Sequence, residues 1–143
     1  MKKAFATILS LILVFSILSF SVAENHTVDT HVSAIEERYI GLRRVTSQLA
    51  ISNNTANCKA TAYAINSSYS LYVTMSLQKQ TGANWNTVIS WSGSGSGFAG
   101  VVLNKTKSGL SSGTYRCKAY VRVYDSNGTF VESTTIYSQT ITI

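Results

Sequence analysis

From about residue 44 to the C-terminus, apolar and polar positions alternate with a period of two, the repeat of a strand that buries one face. "RVTSQLAIS" sets Val45, Leu49 and Ile51 on one side, and "ANCKATAYAI" does the same for Ala56, Cys58, Ala60, Ala62 and Ala64. "LYVTMSLQK" turns Leu71, Val73, Met75 and Leu77 inward, with Tyr72, Thr74, Ser76 and Gln78 outward. "WNTVISW" groups Trp85, Thr87, Ile89 and Trp91 on one face. "SGSGSG" then interrupts the pattern and is expected to be a flexible loop, and "FAGVVLNK" resumes it. In "GTYRCKAYVRVY" the alternation is strict. Tyr115, Cys117, Ala119, Val121 and Val123 share one face, and Arg116, Lys118, Tyr120, Arg122 and Tyr124 share the other. Ser126-Asn127-Gly128 predicts a tight hairpin turn, since Asn-Gly accepts positive φ angles, and "TTIYSQTITI" closes the chain as a seventh strand. Seven strands rich in Val, Ile, Thr and Tyr, with no proline, predict an all-β antiparallel sandwich or barrel.

The N-terminus follows a different rule. "MKK" is a positive start, "AFATILSLILVFSILSFS" is an apolar run of 18 residues, and Ser21-Val22-Ala23 places small residues where a signal peptidase cuts. Residues 1–23 are therefore expected to be a removed signal peptide, with an uncleaved anchor as the alternative. No later apolar run would hold the chain to a membrane once the signal is removed. The expected mature chain of 120 residues suffices for one domain with a real core. Residues 24–43 form a leader, a flexible segment or a short helix in which Val28, Val32, Ile35 and Tyr39 have helical spacing and Ser33 with Glu36 makes a capping box. Residues 44–143 form the sandwich.

Export changes the meaning of charge and of cysteine. Four acids, Glu24, Asp29, Glu36 and Glu37, crowd the leader, whereas residues 38–143 carry 10 basic groups against Asp125 and Glu132 alone, a net +8. A domain so biased attracts polyanions, and salt weakens that attraction. Cys58 and Cys117 are the only cysteines, and in an oxidising compartment such a pair is most simply one disulfide. Closing that loop of about 60 residues is worth ~4 kcal/mol in the chain-entropy view.

The second cysteine lies two residues after Tyr115, behind "LSSGT", and its partner lies on an early strand. This layout resembles the immunoglobulin-like sandwich, and the run Leu110–Tyr115 is similar to the corresponding corner of fibronectin type III domains. The resemblance covers residues 44–143 and implies a seven-stranded antiparallel Greek-key β-sandwich. It also implies an inter-sheet disulfide between the second and sixth strands and a structural tyrosine corner at Tyr115. Where the immunoglobulin pattern has a tryptophan on the third strand, this chain has Leu71, Val73 and Met75. The whole chain is also similar to small uncharacterised secreted proteins of bacteria. The resemblance implies no activity, because this architecture hosts many.

Catalytic chemistry is sparse. His26 and His31 both lie in the leader, so no serine of the sandwich has a histidine nearby to activate it, and neither histidine has the company a metal site needs. Asp125 and Glu132 flank the expected hairpin and are expected to be solvated rather than a catalytic pair. Gly95, Gly97 and Gly100 match G-x-G-x-x-G, but strand-forming "VVLNKTK" follows where a dinucleotide site needs a helix. Sequons at Asn25, Asn53, Asn66, Asn104 and Asn127 are expected to carry no glycan in a chain with a bacterial-type signal. Trp85 and Trp91 are expected to pack in the core rather than stack on sugars. The reading is not an enzyme and needs no cofactor.

What remains is the ladder Arg116, Lys118, Tyr120, Arg122 and Tyr124, with Tyr72 beside it. Arginine forks grip anions and tyrosine rings lie against sugars. The expected function is a secreted, extracellular binding module. Its expected ligands are an anionic cell-wall polymer, an acidic glycan or anionic lipid headgroups. Nucleic acid is disfavoured, since no nucleic-acid motif occurs. The competing reading of the ladder is ordinary outward strand residues. The competing function is an assembly subunit or homodimer that pairs through the C-terminal edge strand, where Ile141 and Ile143 end the chain.

Overall fold

The computed structural model describes residues 39–143; the expected signal peptide over residues 1–23, the expected leader up to residue 38 and both histidines lie outside the described residues. The described chain is all-β: β1 (Leu42–Ser52), β2 (Thr55–Ala64), β3 (Ser70–Thr81), β4 (Asn84–Ser96), β5 (Val101–Lys107), β6 (Thr114–Tyr124), β7 (Phe130–Tyr137) and β8 (Ile141–Thr142). Among the described residues no helix is long and apolar enough to cross a membrane. All pairings are antiparallel and fall into two sheets. One has the order β1-β2-β5; the other has the order β4-β3-β6-β7, with β8 also paired to β6.

The inner faces divide the core by size. β2 supplies Ala56, Cys58, Ala60, Ala62 and Ala64, all essentially without exposure. The five-stranded sheet supplies the bulk: Leu71, Val73, Met75, Leu77, Tyr115, Val121 and Val123. Small side chains on one sheet leave room for large ones on the other, so the layers interdigitate at interior density. Each fully buried Leu, Val or Met contributes roughly 1.5–3 kcal/mol of transfer free energy. The odd-numbered face of β6 points into this core, and its even-numbered face therefore points out.

Local departures from simple alternation shape the rest. The Gly-Ser run is not a loop: β4 continues through Ser96, with Gly93 and Gly95 paired to Val73 and Leu71. The serines take the outward positions, and the glycines stand where an inward side chain would collide with β5 or with the connection leading into it. A Cβ at Gly93 would lie 2.8 Å from Leu103 Cδ2, and one at Gly95 would lie 2.0 Å from the Gly100 carbonyl oxygen. A second departure is a bulge on β4. Ile89 pairs with Leu77 but Thr87 pairs with Gln78, so Val88 is the extra residue. This reverses the facing of everything before it. Trp91 stays on the inner side, whereas Trp85, opposite Gln80, moves to the outer face, which corrects the expected grouping of the two tryptophans.

The turns are equally specific. Asn53 and Asn54 have φ of 48° and 56°, which suits the two-residue β1–β2 connection. At the β6–β7 hairpin only Gly128 takes a positive φ, 78°, and its amide donates to the Asp125 carbonyl at 3.0 Å. The loop is thus a four-residue turn ending in a left-handed glycine, not the Asn-Gly form expected. The last strand also breaks. Ser138 bulges between β7 and β8, its amide donating to the Cys117 carbonyl at 2.8 Å and its hydroxyl accepting from the Cys117 amide at 2.8 Å. The chain end is tied down, because Ile143 and Gly113 exchange both backbone hydrogen bonds.

Candidate functional site

Cross-strand partners share a face, so the pairing register gives the outer surface of the five-stranded sheet row by row. One row runs Ser94, Tyr72, Arg122, Ser133; the next runs Ser92, Thr74, Tyr120, Thr135. A third runs Ser90, Ser76, Lys118, Tyr137, and a fourth holds Thr87, Gln78 and Arg116. The face therefore carries three cations, several aromatic rings and a border of serine hydroxyls, with no carboxylate in these rows. Ser76 and Gln78 point outward as expected, yet they are buried, at 8% and 7% exposure, beneath longer neighbours.

The ladder divides into two unlike ends. At one end Arg116 is clamped. Its guanidinium carbon lies 4.1 Å from the Trp85 ring centroid and 4.0 Å from that of Tyr137. Its Nε donates to Gln78 Oε1 at 2.9 Å. A planar cation between two rings, with an amide fixing its edge, is a strut across β4, β3, β6 and β7. Only the Val88 bulge brings Trp85 into position, and strict alternation gave no sign of it.

At the other end the side chains frame a hollow. A cavity of about 330 Å³ is lined by Ser70, Tyr72, Arg122, Tyr124 and Gly128. Tyr72 and Tyr124 stand edge to face, with centroids 5.5 Å apart and planes at 87°. Phe130 braces Tyr124 from behind at 5.8 Å and 75°. Arg122 is exposed, its guanidinium carbon 5.9 Å from the Tyr72 centroid. Three residues singled out by sequence pattern, Tyr72, Arg122 and Tyr124, thus meet in one concavity. Lys118 and Tyr120 lie between the two ends, both half-buried.

The two carboxylates serve backbone amides in different places. Asp125 Oδ1 accepts from the amides of Asn127 and Thr129 at 2.8 Å each, which shapes the hairpin. Glu132 accepts from the amides of Gly41 and Leu42 at 2.8 Å each and from Ile40 at 3.0 Å. It anchors the start of β1, a role sequence reading missed because the partners are backbone groups about ninety residues away. Neither carboxylate lies in the rows of the outer face.

Cys58 and Cys117 face each other between the sheets, 4.2 Å apart, both buried and both free thiols. Ser47 Oγ donates to the Cys117 carbonyl at 3.1 Å, adding a polar contact beside them. The hydrogen bond to Cys117, and then burial, push the Cys58 thiol well above its ordinary range. A thiol held in its protonated form is a poor nucleophile. Tyr115 is buried, and its hydroxyl donates to the Ser111 carbonyl at 2.6 Å. Gly95, Gly97 and Gly100 lead into β5, a strand, so no helix N-terminus faces a phosphate there. Among the described residues no group of three or more His, Cys, Asp or Glu is placed to hold a metal ion.

Over the described residues these features define an all-β domain of two packed antiparallel sheets. Comparison with protein families, with curated proteins and with solved structures finds no match to the chain.

Proposed function

We propose that the protein is an exported, non-catalytic binding module that holds an anionic polymer of the cell surface on the outer face of its five-stranded sheet. The observation that carries this reading is the composition of that face: Arg116, Lys118 and Arg122 in line on β6, flanked by Tyr72, Tyr120, Tyr124 and Tyr137, while both carboxylates of the domain are engaged with backbone amides. An uncompensated row of cations on a flat face draws a polyanion, and the rings supply contact area for sugar.

The sandwich is read as immunoglobulin-like with Greek-key connections. Support comes from the first, second and fifth strands sharing one sheet while the third, fourth, sixth and seventh share the other. The Tyr115 hydroxyl on the Ser111 carbonyl favours the same reading. So do cysteines facing each other from the second and sixth strands. In an oxidising compartment the two thiols would join as a disulfide by exchange with a disulfide-bearing oxidant, which takes up the two electrons and two protons and is reduced to a dithiol, consistent with the signal-like N-terminus. Alkylation of the exported, denatured protein tests this: no modified cysteine is expected without reductant and two with it.

The binding reading is tested by retention on immobilised polyanions at low and high salt. Lys118→Glu combined with Arg122→Glu should abolish retention, and salt should elute the native protein. Arg116 is the wrong residue for this test, because its clamp ties charge to stability. Retention unchanged by the double reversal refutes the reading. Retention on anionic vesicles alone would move the partner from a polymer to a lipid surface.

A further inference from the structure

We propose that the hollow framed by Tyr72, Arg122 and Tyr124 is a subsite for one acidic sugar ring, a hexuronate unit. This rests on the reading of the outer face as a binding surface and adds what that surface recognises.

The first ground is size. At about 330 Å³ the cavity lies at the small end of ligand sites, which span about 300–1,000 Å³. It suits one ring of a chain, with the rest of the chain lying across the sheet. The second ground is shape. The Tyr72 and Tyr124 rings meet at 87°, so they form two walls of a corner. A pyranose has an apolar face of C–H groups and a polar rim of hydroxyls. One wall takes the face, and the phenols and the Ser70 hydroxyl are within reach of the rim. Phe130 behind Tyr124 fixes that wall in advance, which lowers the ordering cost of binding.

The third ground is charge. Arg122 contributes one planar fork, which takes a carboxylate or a phosphate through two parallel hydrogen bonds, so the choice between them falls to the ring walls. A phosphate diester presents no apolar ring face and would leave the two tyrosines without a partner. Asp125 is turned toward its own hairpin, where Oδ1 accepts the Asn127 and Thr129 amides, and it is not among the residues lining the hollow. The fourth ground is access. Gly128 closes the rim without a side chain, and no atom lies within 4 Å of where a Cβ would stand, so a polymer can pass over the hairpin. Lys118 lies four residues from Arg122 on the same face, about 14 Å away at strand rise, and offers a cation to a more distant unit of the same chain.

The test is titration calorimetry of the exported protein with three probes: an oligogalacturonate, its carboxyl-reduced neutral counterpart and a polyphosphate of matched charge. The oligogalacturonate is expected to bind, and the neutral form to bind at least about tenfold more weakly. Arg122→Gln should weaken the acidic oligomer at least about tenfold, Tyr72→Ala by about fivefold, and Lys118→Gln by no more than about threefold. Arg122→Lys should not restore binding, because it keeps the charge and loses the fork. Equal affinity for oligogalacturonate and polyphosphate, with equal losses at Arg122 and Lys118, overturns the sugar subsite and leaves the cationic face intact. Failure of all three probes overturns both. Arg122 and Tyr72 are exposed, so unchanged circular dichroism of their variants is expected, and the losses then report binding rather than unfolding.

Discussion

Replacing Arg116 by alanine removes a strut, and its cost can be worked from the contacts. Two rings lose a cation at 4.1 and 4.0 Å, each contact worth about 0.5–2 kcal/mol according to how far it is desolvated. The Gln78 oxygen, on a residue 7% exposed, loses its donor, at about 1–3 kcal/mol if nothing replaces it. Some relaxation and water entry are expected, so the total should be about 2–4 kcal/mol, or a fall in Tm of roughly 10–25 °C for a domain of this size. Arg116→Lys keeps the charge but not the plane or the fork, and should recover less than half of the loss. The assay is urea unfolding followed by tryptophan fluorescence, with Arg122→Ala, expected within about 0.5 kcal/mol of native, as the control. A double-mutant cycle with Trp85→Ala should show a coupling of at least about 0.5 kcal/mol. If Arg116→Ala costs no more than Arg122→Ala, or the cycle shows no coupling, the strut does not exist in solution.

Glu132→Ala should destabilise by about 2–3 kcal/mol, since three amides lose a charged acceptor, and hydrogen exchange should show the Gly41 and Leu42 amides losing protection first. Gly95→Ala should cost at least about 2 kcal/mol and Gly93→Ala clearly less, because the first methyl meets a backbone carbonyl and the second meets the movable end of Leu103; equal costs by thermal melting would contradict the close approach of β4 and β5. With the protein reduced and folded, neither cysteine should react with iodoacetamide at neutral pH within the time that full denaturation exposes both; fast labelling of the native protein would show that the sheets do not seal the pair.

Much of the fold was legible because one-face burial leaves a period-two trace. The inward list on β6, and with it the outward ladder, follows directly from that trace. The misreadings share a cause: composition or strict alternation was followed where a local contact decided. In "SGSGSG" the period of two persists, but glycine replaces the apolar residue because β5 and the connection leading into it are too close for a side chain, and composition alone reads that as a loop. Trp85 changed face through one extra residue, Val88, which leaves no mark on the hydrophobic pattern. Ser138 broke the last strand by using its hydroxyl in place of a ladder group, an arrangement that depends on the Cys117 backbone opposite. At the candidate site the cations and phenols were legible as a list. Which arginine is clamped and which is free was not, because that division depends on side chains brought in by neighbouring strands.

The binding function requires that a polyanion land on the outer face of the β4-β3-β6-β7 sheet. Backbone amide shifts recorded during titration with polygalacturonate test this most directly. The predicted result is a set of salt-sensitive changes centred on Tyr72, Arg122, Tyr124 and Gly128, extending toward Lys118, with β1, β2 and β5 unmoved. Changes confined to the three-stranded sheet, or none at saturating polymer and low salt, would contradict it.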